Sequence, residues 1–585
     1  MRTRLSAADH IVIVGYFVLL ACVGLYFWRR MRGVRDLFTG GNDIPWWLAG
    51  VSFYLTAFSA FTFVAYAEMA YRYGMIAVTL TWSSVAAMLT GTIFLAGRWR
   101  RARIISPVQF LEARYSPQIR QVLAWAGLPL KIVDDGLKIY ATGIFVSVGL
   151  GYDLTTSVIV SGIVMALYTF MGGLWAVVVT DYVQFVILTI GVAVLFPLVF
   201  ARIGFHAFWH NSPAGFFSLV RPPFSWMYVA AFYLLIQLSY NGNWAFAQKF
   251  YSVRDERAAR KAGMLATALK LIGPPLFVLP AMAARQLMPQ LMNPPDSPQY
   301  VYAALSLEFL PAGLMGLMIA AMFSATMSTL SGDYNVMASV ITEDIYRRLF
   351  DRDASQRRLV IVGRLATLLV GAATVGIGVI LVRTARQGLF EIMVTLFSLF
   401  VAPMLIPMVA GLLTRRVTWR GAAAGIACGF ASGFGLYLYK ALVLAHRPGI
   451  DPNWLRYDFE AISILVNFGV TILAIAIATA LERVTPEERR RIADFFVQLE
   501  TPVTPPPAAA PGVEAFSPFC IIGWITAAVG ALLVIASLPH SSALARAINL
   551  AVAGALFLIA FGFYSLNRRF VRARADVAAI AEQVR

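Results

Sequence analysis

Apolar runs separated by short polar connections account for nearly the whole chain. About 20 apolar residues at 1.5 Å each suffice to cross the hydrocarbon core of a bilayer. Segments of that order fall at 8–28, 46–71, 75–97, 121–150, 154–173, 176–203, 226–248, 262–286, 312–343, 359–382, 388–414, 420–442, 460–481, 519–537 and 544–567. They predict an all-α polytopic membrane protein of about 15 spans. Two of these runs are too polar for plain lipid anchors. Segment 46–71 carries Thr56, Ser59, Thr62 and Glu68 between aromatic residues, and 226–248 carries Gln237, Ser239, Tyr240, Asn241, Gly242 and Asn243. Mid-membrane polar groups are costly unless they face a cavity or a partner, and a discontinuous helix is one way to give them that place. The two polar runs head successive groups of five segments, 46–203 and 226–414. An odd number of spans per group inverts the second group relative to the first.

The run GLMGLMIAAMFSATMSTLSGDYNVMASVITEDIY, Gly313 to Tyr346, is both long and rich in small residues and hydroxyls. Ala321, Ala325, Thr329 and Asp333 form a strip where a neighbouring backbone can approach closely. Ser328 and Thr329, with the carbonyl of Ala325 one turn earlier, place three hard oxygens together. Such a set suits a dehydrated Na⁺. On this helix alone the alternative stands equally: a packing helix whose hydroxyls bond their own i−4 carbonyls.

Composition agrees with the pattern. The chain is 59% hydrophobic and 13% charged, about half the charged share of a soluble protein, and no hydrophilic block is long enough for a catalytic domain. The first run, followed by RRMRGVR without a small-residue cleavage site, is expected to be a retained span and not a signal peptide. The net charge of +18 is no nucleic-acid footprint, because Lys and Arg cluster at segment ends. Basic runs at 29–36, 97–103, 249–261, 347–358, 415–420, 483–491 and 568–574 fall on alternate loops. The positive-inside rule then puts the N-terminus outside and the C-terminus in the cytoplasm. Cys22, Cys428 and Cys520 lie in apolar spans without ligand spacing, and His206/His210 make a poor metal pair. The expected organisation is an N-terminal extra helix and cytoplasmic loop (1–45), a first repeat (46–203), an external loop (204–225) and a second repeat (226–414). Additional helices (415–482), a cytoplasmic Pro-rich linker (483–518), a peripheral helical hairpin (519–567) and a cytoplasmic tail (568–585) follow.

Four stretches together resemble the sodium:solute symporter family over roughly residues 8–482. MSTLSGDYNVMASVITEDIY is similar to the family's signature helix, and GGLWAVVVTDYVQF (172–185) to its TD-containing segment. AYRYG (70–74) and NWAFAQKFYSVRDERAARKA (243–262) are similar to family segments as well. The resemblance implies a leucine-transporter fold: two inverted five-helix repeats with additional N- and C-terminal transmembrane helices. It also implies a main Na⁺ site made of the carbonyls of Leu55, Phe58 and Ala325 and the hydroxyls of Ser328 and Thr329. A second Na⁺ site in some relatives would fall on Asp181 and Ser331, with Gly332 where another hydroxyl is expected and Asp333 as a substitute ligand. The opposing reading of Asp181, a structural acceptor of backbone amides, carries equal weight.

The span 121–150 carries Lys131, Asp134, Asp135 and Lys138, spaced as the i,i+4 pairs Lys131–Asp135 and Asp134–Lys138. These are expected to be internally neutralised, or else to meet a charged substrate. The resemblance places Thr62, Glu68, Tyr240, Asn241, Asn243, Phe397 and Ser398 around the solute, with Glu68 equally suited to a gating role. The expected function is a secondary-active symporter importing a small organic solute with Na⁺, in a lipid bilayer, as in a bacterial inner membrane. It would not be an enzyme, would bind no nucleic acid and would need no obligatory protein partner. The alternatives are a transporter-like sensor signalling through a partner and a proton-coupled carrier.

Overall fold

A computed structural model of the protein describes residues 5–28, 34–293, 297–384, 388–503, 517–538 and 542–583. Helix α1 (Ala7–Trp28) and the short α2 (Val34–Thr39) precede α3 (Trp46–Thr56). The chain then leaves helical geometry at 57–59 and resumes through a π-helical turn, Thr62–Tyr66, into α4 (Ala67–Tyr73). Next come α5 (Ile76–Phe94), the short α6 (Ala96–Arg101) and α7 (Phe110–Arg114), then the long α8 (Pro117–Leu150) and α9 (Leu154–Ile203). After α10 (Phe205–His210) a second interrupted pair appears, α11 (Trp226–Gly242) and α12 (Trp244–Tyr251). It is followed by α13 (Glu256–Leu287), α14 (Val301–Phe309), α15 (Leu314–Ser339), α16 (Gln356–Thr384) and α17 (Leu389–Leu413). Helices α18 (Trp419–Leu442), α19 (Phe459–Leu481), α20 (Pro486–Glu500), α21 (Pro518–Ser537) and α22 (Ala543–Gln583) complete the chain.

Among the described residues, 11 helices are long and apolar enough to cross a membrane, or up to 12 if a bent pair is one span. The expected count of about 15 is therefore not reproduced, for a physical reason. Runs 46–71 and 226–248 are each divided by a break, which leaves no continuous helix of spanning length. Runs 121–150 and 154–173 meet at a bend of 115° between Pro117–Leu150 and Leu154–Phe170. Hydropathy counts apolar length and is blind to such breaks.

Helix α15 is the axis of the molecule. Every residue from Gly313 to Val340 is buried, which is why its apolar residues show no stripe: a helix covered on all sides needs none. It packs against α1, α3, α8 and α9. Its first turn is capped from α1, where Asp9 Oδ1 accepts hydrogen bonds from the amides of Gly313 (2.6 Å) and Gly316 (2.8 Å). A carboxylate there meets the positive end of the helix dipole and satisfies two otherwise orphaned N–H groups. Ser324 Oγ donates to Tyr16 Oη of α1 at 2.6 Å.

Several of the cation-rich connections meet at one end among the described residues. Arg101 pairs with Glu256 at 2.9 Å, Arg415 with Glu500 at 2.5 Å, and Arg114 donates to the carbonyls of Thr414 and Val417. Helix α20 sits among them with Phe495, Phe496 and Leu499 buried. It occupies the charged part of the expected linker and is started by a capping box between Thr485 and Glu488, with Pro486 in its first turn. The remaining proline-rich stretch, 504–516, lies outside the described residues, as does 29–33 of the first basic run. The C-terminal hairpin packs against the rest of the chain through α1 and α9. Phe519 stacks on Trp47 (5.5 Å between ring centroids), and Asn549 Nδ2 donates to the carbonyl of Ala312 at 2.8 Å.

Candidate functional site

The break after α3 faces α15. Thr56 Oγ1 bonds back to the Ser52 carbonyl (2.7 Å), the amide of Phe58 turns back to the Leu55 carbonyl (2.8 Å), and α3 ends. Backbone groups freed inside a membrane need protein partners, and these come from neighbouring helices. The Ala60 amide donates to Thr326 Oγ1 at 2.9 Å, and Lys270 Nζ of α13 donates to the Ala57 carbonyl at 2.9 Å. Thr329 Oγ1 lies 3.4 Å from the carbonyl oxygens of both Leu55 and Phe58 and 3.2 Å from that of Ala325. Four of the five expected ion ligands therefore converge on one point, all of them oxygen. Ser328 is buried beside them, with its Oγ turned to the Asp181 carboxylate.

The residues of the expected second ion site divide between two places. Asp181 takes a short hydrogen bond from Ser52 Oγ, and the buried ammonium of Lys249 lies within electrostatic reach of it. Ser331 Oγ donates to the Ser328 carbonyl at 3.1 Å, the back-bonding of an ordinary packing hydroxyl. Asp333 instead joins the charges of α8. Lys131 pairs with Asp333 at 2.6 Å, replacing the expected Lys131–Asp135 contact. Lys138 Nζ donates to Asp134 (2.9 Å), Asp135 (2.7 Å) and Asp333 (3.0 Å).

A cavity opens between the break, α5, α8, α11, α13, α15 and α17, with Thr329 on its wall. Thr62, Tyr240, Asn243 and Phe397 line it. Asn243 also divides α11 from α12: its backbone is extended, and its Oδ1 accepts from the amides of Ala245 (2.9 Å) and Phe246 (3.3 Å). Three expected solute residues lie off this wall. Glu68 pairs with Arg72 at 2.9 Å and faces a separate cavity with Glu391 and Arg456. Asn241 donates to the carbonyls of Ala87 and Gln237 and rests on Gly91, where an added Cβ would come within 2.1 Å of Oδ1. Ser398 donates to Glu460 at 2.7 Å, and Glu460 also pairs with Lys440 at 2.6 Å.

The model of the sodium:solute symporter family matches residues 37–429. The chain belongs to that family. It is 28% identical over 451 residues to sodium/glucose cotransporter 4 of Danio rerio, across 69% of this chain and 67% of the relative. With the sodium/sialic acid symporter SiaT of Proteus mirabilis it shares 24% identity over 409 residues, 68% of this chain and 82% of SiaT. A solved structure of a Na⁺-coupled sialic acid symporter, in a substrate-bound outward-open state, superposes with a TM-score of 0.68 at 21% identity. That likeness covers 82% of this chain and 98% of the other. The fold is of the leucine-transporter type, and the chain is a sodium-coupled symporter of small solutes.

In this symporter, three residues that pattern alone does not single out complete the site. Lys270 is buried, lines the cavity and lies 4.8 Å from the centroid of the Phe58 ring. Its sequence signal is a lone lysine inside an otherwise apolar run, masked by the neighbouring basic loop. Thr326 bridges the break to α8, since Thr142 Oγ1 donates to it at 2.8 Å. Lys249 is buried, with no hydrogen-bond partner for its ammonium among the described residues.

Proposed function

We propose that the chain imports a small organic solute together with one Na⁺ held by the carbonyls of Leu55, Phe58 and Ala325 and the hydroxyls of Ser328 and Thr329. The observation that carries this reading is the approach of Thr329 Oγ1 to carbonyls of two different elements, the break and α15. Unwound carbonyls at half-helix ends are the donors that transporters of this architecture offer to Na⁺. An ion there bridges the first repeat, 46–203, to the second, 226–414, and the cavity for the solute adjoins it. Coupling follows if the ion binds one orientation of the repeats more tightly than the other, because a ligand shifts an equilibrium only by its differential affinity. The gathering of cation-rich loops at one end supports a cytoplasmic assignment for that end, with the N-terminus outside. The separation of Asp333 from Asp181 supports a single ion, with Asp181 as a structural acceptor.

The test is Na⁺-dependent stabilisation and solute uptake in proteoliposomes for Ser328→Ala, Thr329→Ala and Ser331→Ala. The first two are expected to raise the half-saturating Na⁺ concentration by about tenfold or more, a loss of roughly 1.4 kcal/mol, and the third by much less. Equal losses for all three would move the ion toward Asp181, and uptake indifferent to Na⁺ would refute the proposal.

A further inference from the structure

The cavity beside the proposed ion site contains two separate charge imbalances of opposite sign. On one wall, Asp134, Asp333 and Lys138 face the cavity, with Asp135 and Lys131 behind them. Three carboxylates thus meet two ammonium groups, and the carboxylates supply ligand atoms lying within 4.8 Å of one another. Both lysines are already engaged, and the buried carboxyl of Asp135 lies against that of Asp333, close enough for the two to share a hydrogen bond. This wall therefore takes one further positive charge, either a proton shared by Asp135 and Asp333 or a cationic group in the cavity. On the α13 side, Lys270 has no carboxylate within 4.0 Å among the described residues, and its one hydrogen bond goes to the neutral Ala57 carbonyl. That side is one negative charge short. Lys249 faces Asp181 first and Asp333 second, and pairs with neither within 4.0 Å among the described residues.

We infer that the solute is a zwitterion whose carboxylate is held by Lys270 and whose ammonium meets the Asp134–Asp333 wall of the same cavity. The inference rests on the reading that this cavity is the transport site. Buried charges persist when they are paired, since taking an unpaired ion out of water costs several kcal/mol even after relaxation. A neutral polyol leaves both deficits standing, a simple monocarboxylate leaves the acidic wall, and a simple amine leaves Lys270. A molecule with both charges removes both while adding no net charge to the cavity. Phe61, Phe246 and Phe397, which line the same cavity, offer apolar surface to the rest of the solute.

The purified full-length protein, in Na⁺ and separately in K⁺, is screened by thermal shift against the protein amino acids, glycine betaine, D-glucose, myo-inositol and lactate. For any amino acid that binds, the amide and the des-amino acid are measured beside it. The expected result is stabilisation by a zwitterion, with amide and des-amino analogues at least about tenfold weaker. Lys270→Met is expected to weaken the zwitterion more than its amide, and Lys270→Arg to recover part of the loss. Glucose, inositol or lactate binding more tightly than every zwitterion overturns the inference, as does a panel in which Na⁺ alone stabilises and no zwitterion adds to it. Zwitterion binding that is equal in K⁺ would refute the ion site and leave the inference standing.

Discussion

At the scale of single residues, the site depends on hydroxyls that satisfy backbone groups where helices stop. Thr326 is the clearest case, since it accepts from the Ala60 amide and from Thr142 at once. Thr326→Val keeps the shape and removes both acceptor contacts, leaving a buried N–H unpaired. A cost of about 1–3 kcal/mol is expected, read as a lower unfolding temperature together with weaker Na⁺ stabilisation. Gly316 shows the opposite constraint. An added Cβ would come within 2.4 Å of the Asp9 carbonyl oxygen and 2.7 Å of its Cα, both backbone atoms. Gly316→Ala must therefore push α1 from α15, with an expected loss of about 1–3 kcal/mol in denaturant or thermal unfolding. Neither role is written in the residue type: a threonine and a glycine in an apolar run look the same whether or not a neighbour needs them.

At the scale of elements, the two interrupted helices and their caps decide where polar groups go. Asn243 holds the start of α12 by its side chain, so Asn243→Ala is expected to cost about 1 kcal/mol through the lost cap. Hydrogen exchange of the 244–248 amides would report it, even if solute affinity also falls. Asp9 does the same for α15 from a different helix. Asp9→Ala removes a buried acceptor from two amides at a positive helix end, and about 1.5–3 kcal/mol is expected for a hydrogen bond to a charged group, measured as a drop in thermal stability. The hydroxyl-rich and amide-rich runs disclosed that 46–71 and 226–248 are unusual, whereas α20 falls inside a stretch expected to be a linker. The placement of Glu68 and Asn241 off the cavity wall depended on Arg72 and Gly91, which lie on the same or neighbouring elements and carry no signal of contact.

At the scale of the whole molecule, the basic end is closed by ion pairs between elements far apart in sequence. Glu112 of α7 receives Arg120 at the start of α8 (2.6 Å) and Arg348 beyond α15, while Arg120 also donates to Asp344 at 2.6 Å. Burial pushes the Glu112 carboxyl up, but the hydrogen bonds and charges of Arg348 and Arg120 outweigh it and hold the group below the usual carboxylate range. A depressed carboxyl stabilises above its unfolded pKa, about 4.3, and that contribution is lost as pH falls through the folded value. Acidification, and Glu112→Gln at neutral pH, are both expected to speed hydrogen exchange in 343–350; an unchanged rate would show the tie to be idle. By itself the chain's pattern determined a helical membrane protein, the alternation of its basic loops, the family and the oxygen-rich turn at Ala325–Thr329, because apolar length, charge placement and a local hydroxyl motif are all properties of short stretches. Tertiary structure alone decided that Lys131 meets Asp333, that Lys270 reaches the break, and that Ser398 serves Glu460 and not the cavity. Those pairings join residues up to hundreds of positions apart, and a buried charge takes whichever partner the packing of helices brings within reach.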